Sequence, residues 1–152
     1  MRRWMGFVAF ALLGVAAPAC TTHSVGPART ADDYVRKART TATDALSAVE
    51  TVLLLAETAA AGRSFATYNN IAISEQEDTL AAVRGDFESI QPPGTDSDAL
   101  RDELTEILDT AIAHLADVRI AARRGDLGDL DVVAAPLEAD ASALDDFVSE
   151  LG

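Results

Sequence analysis

The chain has 152 residues, with 25 Asp+Glu against 12 Lys+Arg, a net charge of −13, and a single cysteine. That acidity argues against a nucleic-acid partner, because such binding rests on neutralising phosphates with Lys and Arg. It argues equally against a basic peripheral contact with anionic lipid. One cysteine excludes an intramolecular disulfide and asks for another explanation.

The first element is an address. Met1-Arg2-Arg3 is a short positive start, residues Trp4 to Ala17 are apolar and uncharged, and Ala17-Pro18-Ala19-Cys20 follows. A charged start, an apolar core and a small-residue cleavage site read as a secretory signal peptide over residues 1–19, removed in front of Cys20. The apolar run is short for a membrane span, which needs roughly 20 residues.

The segment around Cys20 resembles the lipobox of bacterial lipoproteins. The resemblance implies that the Cys20 sulfur receives a diacylglyceryl group and that Cys20 becomes the mature N-terminus. Ala17 stands where that family usually carries Leu, and Pro18 where a small or β-branched residue is usual. Ordinary cleavage directed by Ala17 and Ala19 would cut the same bond and leave Cys20 bare; the expectation here is the lipidated form. Each buried methylene contributes ~0.8 kcal/mol, and two acyl chains make a stable anchor without any transmembrane helix.

Removal of residues 1–19 leaves 133 residues (152 minus 19). Arg2 and Arg3 leave with them, so 10 basic residues face 25 acidic ones, a net −15. That length suits one domain. Residues 20–29 read as a polar tether carrying Gly26 and Pro27, with a reach of about 30 Å if fully extended. A helical domain is expected over residues 30–152.

Thr30 is expected to cap the first helix, with Asp32 and Asp33 in its first turn where the helix dipole favours negative charge. Ala42, Leu46, Val49, Leu53, Ala56 and Ala60 then recur at alternating steps of four and three, one helix face. Val52, Leu54 and Leu55 are expected to widen that stripe, and Gly62 to stop the helix. The second helix carries Ile73, Leu80, Val83, Phe87 and Ile90. Ser74-Glu75-Gln76-Glu77 has the form of a capping box and would start it late. The periodicity back through Phe65, Tyr68 and Ala72 starts it near Ala66, the start preferred here. Gly85 weakens it, and Pro92-Pro93-Gly94 ends it.

Asp96 or Ser97 is expected to cap the third helix. Leu100, Leu104, Leu108, Ala111, Leu115, Val118 and Ala122 form its stripe, with Ile107 and Ile120 beside it and Gly125 as its stop. The fourth shows Leu130, Val133, Leu137, Ala141, Leu144, Val148 and Leu151. Pro136 either bends it or marks its true start. Strand signals are absent. The expectation is an all-α fold, an antiparallel up-down four-helix bundle with short connections. Ser89-Ile90-Gln91-Pro92-Pro93, together with the third helix ending Leu115-Ala116-Asp117-Val118-Arg119-Ile120-Ala121-Ala122-Arg123-Arg124-Gly125-Asp126, resembles uncharacterised helical lipoproteins of actinobacteria. That resemblance implies a fold and an address and no activity.

Sites with chemistry are sparse. His114 is the one histidine of the helical region, with Ala111 three residues before it and Asp117 three after. A metal centre in a bundle wants Glu-x-x-His on two helices, so His114 reads as a surface or boundary residue, and no metal or cofactor is expected. Glu75, Glu77 and Asp78 form one acidic run and Asp126, Asp129 and Asp131 another; neither has the twelve-residue calcium-loop pattern. Arg84-Gly85-Asp86 and Arg124-Gly125-Asp126 both spell an adhesion tripeptide, but at a helix interior and a helix stop. Asn69 and Asn70 are expected at the surface, although an inward amide would fix register.

No catalytic set can be assembled. The leading expectation is therefore a non-enzymatic interaction module. It would be held outside the plasma membrane by lipid on Cys20 and would meet a protein partner in the cell envelope. The alternative is a ligand- or cation-binding bundle acting as a sensor or carrier.

Overall fold

The computed structural model of the protein describes residues 26–152. Ala17, Ala19 and Cys20, with the rest of the signal segment, lie outside the described residues. The described part is all-helical: α1 (Ala31–Ala60), α2 (Ala66–Glu88), α3 (Thr95–Arg124), α4 (Leu130–Ala134) and α5 (Pro136–Glu150), with one 3₁₀ turn at Leu127–Asp129. No strand occurs among the described residues, and none of their helices is long and apolar enough to cross a membrane.

The helix ends follow from local chemistry. The Thr30 hydroxyl accepts the Asp33 amide at 3.1 Å, so the expected cap is formed. At the other end of α1, Gly62 takes φ 66, and the amides of Gly62 and Arg63 are donated to the carbonyls of Ala59 and Thr58. Gly125 repeats the device after α3 at φ 84, with Asp126 donating to Ala121. Both turns lie in the left-handed region, where a side chain is disfavoured and glycine is not. α2 starts at Ala66, the earlier of the two expected starts, and Ser74 to Glu77 lie inside it. The cap of α3 differs from expectation. Gly94 occupies that position, and its carbonyl accepts the amides of Ser97 and Asp98. Gly94 itself is extended (φ −179, ψ 175), so the helix begins after it and Asp96 falls in its first turn.

Pro136 marks a helix start, one of the two outcomes expected of it. It is the first residue of α5 and separates that helix from α4. Ala135 nevertheless keeps helical angles (φ −51, ψ −36), so the backbone runs on through the break. Proline has no N–H for the Val132 carbonyl, and the Ala135 amide approaches that carbonyl instead at 3.4 Å.

α1 and α3 are the two central helices: each packs against the other and against α2, α4 and α5, whereas α2 packs only against α1 and α3 and makes no substantial contact with α4 or α5. α1 buries Ala38, Ala42, Ala45, Ala48, Ala56 and Ala59, small residues that let its neighbours approach closely, beside Tyr34, Val49, Val52 and Leu55. Further bulk comes from Leu104, Leu108 and Leu115 of α3, and Leu137, Leu144 and Phe147 of α5. The α1 stripe is therefore rotated from the expected one. Leu46 and Leu53 are half-buried, and Leu54 points outward at 61% exposure.

Residues 26–29 are not helical, and Ala28 packs partly against the core. The last part of the expected tether is thus laid on the domain.

Tyr34 closes the end of the core near the start of α1. It is fully buried, its ring is 5.5 Å from that of Phe87 at 44°, and its hydroxyl has no hydrogen-bond partner among the described residues. Burial raises its pKa above the ordinary phenol value, partly offset by the charge of Arg101. The folded state therefore favours the neutral phenol. The stability tied to that form is complete below about pH 10 and is lost as pH rises through the raised folded value. Tyr34→Phe removes an unsatisfied buried hydroxyl and should be neutral or stabilising by up to about 1 kcal/mol. Urea unfolding at neutral pH and above pH 10 checks this, because the variant should lose less stability in alkali than the parent.

Candidate functional site

The outer face of α3 is lined with carboxylates, because the stripe that faces the core uses Leu and Ala and leaves the charged residues outside. Glu88, Arg101, Asp102, Glu106, Asp109 and His114 line an open groove of about 730 Å³ along it. Arg84 crosses from α2 to this face. Its Nε donates to Asp109 Oδ1 at 2.8 Å, and its Nη1 is paired with Glu88. The hydrogen bond to Asp109 is the main reason the guanidinium pKa lies above its ordinary value. Arg101 donates to the Glu88 carbonyl at 2.7 Å, where the end of α2 leaves carbonyls unsatisfied. Arg119 is paired with Glu77, a second link between α3 and α2.

His114 is a boundary residue, as its spacing suggests, but its partner is not Asp117. The imidazole Nδ1 lies 2.7 Å from Asp140 Oδ2 on α5. A carboxylate can only accept, so the proton sits on Nδ1 and is donated to Asp140. The Asp140 side chain is 7% exposed and that of His114 34%. Sequence reasoning missed Asp140, although a signal was present: it lies three residues after Leu137 and four before Leu144, on the buried face of α5. The pair is asymmetric. His114→Ala strands a buried carboxylate and should cost about 1–3 kcal/mol; Asp140→Ala leaves a histidine that can turn to water and should cost about 1 kcal/mol. Chemical unfolding of the two variants tests that order.

Asn69 is fully buried, against the expected surface position. Its Nδ2 donates to Ser64 Oγ at 2.8 Å, and its Oδ1 has no partner among the described residues. It lies four residues before Ile73, on the inner face of α2. Phe65 and Tyr68, which led the periodicity to the right start, face outward instead at 85% and 60% exposure. Ile71 (56%) and Leu54 of α1 are exposed as well.

Among the described residues, no three of His, Cys, Asp and Glu converge as a metal-ligating group. Glu77 is committed to Arg119, and the Asp131 carboxylate accepts the Val132 amide at 2.9 Å. The first adhesion-like tripeptide lies within α2 with Arg84 tied down; the second is the left-handed end of α3.

Comparison with protein families, curated proteins and solved structures gives no match for this chain.

Proposed function

We propose that the protein is an extracytoplasmic lipoprotein. Its helices form an antiparallel up-and-down bundle, held at the plasma membrane by a diacylglyceryl group on Cys20, and it acts as a non-enzymatic interaction module for a protein partner in the cell envelope. The observation that carries this is the placement of the one cysteine directly behind a charged start, an apolar run and a small-residue site. Short connections between long neighbouring helices favour the up-and-down order. With residues 26–29 against the domain, residues 20–25 span at most about 20 Å, which sets the domain close to the bilayer.

A second reading is a ligand-binding bundle. It is favoured by the groove on α3, where carboxylates and His114, itself held by the buried Asp140, face an open volume. Its ligand would be cationic.

The deciding experiment is fractionation and intact-mass analysis of the full chain made in a bacterial host. The expected result is a membrane-bound form that begins at Cys20 and carries acyl chains, with Cys20→Ser lost from the membrane fraction. A wild-type chain recovered in the soluble fraction with an unmodified Cys20 overturns the anchor.

A further inference from the structure

Charge is not spread evenly along the chain. Residues 29–43 carry Arg29, Arg36, Lys37 and Arg39 against Asp32 and Asp33, a net +2, whereas residues 44–152 hold 6 basic and 23 acidic residues, a net −17. The basic stretch directly follows the tether. There the starts of α1 and α3 open on one pocket of about 400 Å³, whose lining includes Arg29, Thr30, Thr95, Asp96 and Ser97. No side chain caps α3, and the amides of Thr95 and Asp96 have no acceptor among the described residues. Ser97 is an independent sign of a ligand. It is 5% exposed and lines the pocket, yet its hydroxyl forms no hydrogen bond among the described residues. A hydroxyl buried without a partner costs free energy, which a ligand in the pocket would recover. Arg29 lines the same pocket, and its guanidinium enters no ion pair among the described residues.

We propose that this pocket binds a phosphodiester, supplied by the headgroup of a bilayer phospholipid. Unsatisfied amides at a helix start, a guanidinium and a hydroxyl are the donors that a phosphate oxygen takes. Charge selects the diester. Arg29 and Asp96, the one carboxylate of the lining, cancel. The two helix starts add roughly half a positive charge each, so the pocket holds about one, enough for a monoanion. Asp32 and Asp98 in the same first turns set it against a dianion such as a phosphomonoester. Asp33 is already engaged by Arg36 and by the Arg29 amide. A soluble phosphodiester carries the same chemistry, and the tether favours the lipid. Arg29 follows Cys20 by nine residues (29 minus 20). With the anchor proposed above, on which the source of the phosphate rests but the pocket does not, Cys20 lies at the level of the headgroups. An anionic surface repels residues 44–152, so the domain turns its basic end toward the bilayer. The acidity of the whole chain, which opposes lipid contact on average, thus orients it.

The test is a titration of the full chain, in a detergent without phosphate, with dimethyl phosphate, followed by the amide resonances of Thr95 and Asp96. Both should shift and saturate. Arg29→Gln and Ser97→Ala should each weaken binding by about tenfold, the value of one hydrogen bond to a charged group. Their thermal midpoints should not fall, because Arg29 is exposed and the Ser97 hydroxyl has no partner to lose. Arg63→Gln, beyond the far end of α1, should bind like the parent. Inorganic phosphate at pH 8, largely a dianion, should bind more weakly than the diester. Absence of saturable shifts, variants that bind like the parent, or tighter binding of the dianion overturns the site. The source is read by placing the acylated chain in lipid discs. In discs of phosphatidylethanolamine and phosphatidylglycerol the two resonances should already be shifted, and added dimethyl phosphate should do little. In discs of a galactolipid without phosphate they should shift only when dimethyl phosphate is added. Identical resonances in the two discs overturn the lipid source. The titration needs no acyl chain, so failure of the anchor and failure of the pocket are distinguishable.

Discussion

Leu108→Ala is expected to lower the unfolding free energy by about 3 kcal/mol, within the range for leucine truncation in a packed core. Leu108 is fully buried on α3, the helix that meets α1, α2, α4 and α5. Removing its branched end leaves a space that neighbours on several helices cannot close together. Against a total stability of 5–15 kcal/mol for a typical domain, about 3 kcal/mol is a large share, and the thermal midpoint should fall by about 10 °C. Urea titration followed by circular dichroism measures it. A loss under about 1 kcal/mol would mean that the site collapses freely and that α3 is not tightly held.

Ala45→Leu is expected to do comparable harm by the opposite route. The substitution adds apolar surface at a helical position, and hydrophobicity alone would rate it an improvement. Ala45 is fully buried on α1, which is packed by α2, α3, α4 and α5, so the added carbons have to displace a neighbouring helix. Overpacking of this kind costs typically about 1–3 kcal/mol. Leu54→Ala on the same helix should stay within about 0.5 kcal/mol, because Leu54 is already 61% exposed. If Ala45→Leu instead raises the midpoint, α1 is not the crowded element described above.

Much of the helical layout was legible in the sequence, because ends are written in local chemistry. Thr30, Gly62, Gly125 and Pro136 each act through their own backbone or side chain, and each stands where its residue type predicts. The orientation of α1 and the early part of α2 was not legible. Alanine is small enough to sit on either face, so in α1 the eye follows the leucines. Burial there is decided by how many helices crowd around it, which no single segment records. By sequence, Leu54 therefore reads as inward, while Ala45 and Ala48 carry no signal of their own. Asn69 and Asp140 were missed for a related reason. Polar residues at stripe spacing are discounted until a partner is known, and the partner of Asp140 lies 26 residues away. Cys20 belongs to the reverse case, conspicuous in sequence and outside the described fold.

The central position of α1 also bears on how the chain is made. The ribosome delivers residues from the N-terminus, so the helix that all the others will cover is the first to emerge and the last to be enclosed. α5, which packs against it, follows more than seventy residues later in the chain. A leucine-lined α1 would present a sticky strip throughout that wait. Between Ala38 and Ala48 the buried positions of α1 are Ala38, Thr41, Ala42, Ala45 and Ala48, so that stretch shows little apolar area per residue and offers other nascent chains little to adhere to. The feature that lets neighbours crowd around this part of the helix in the finished molecule thus also protects it while it is still alone.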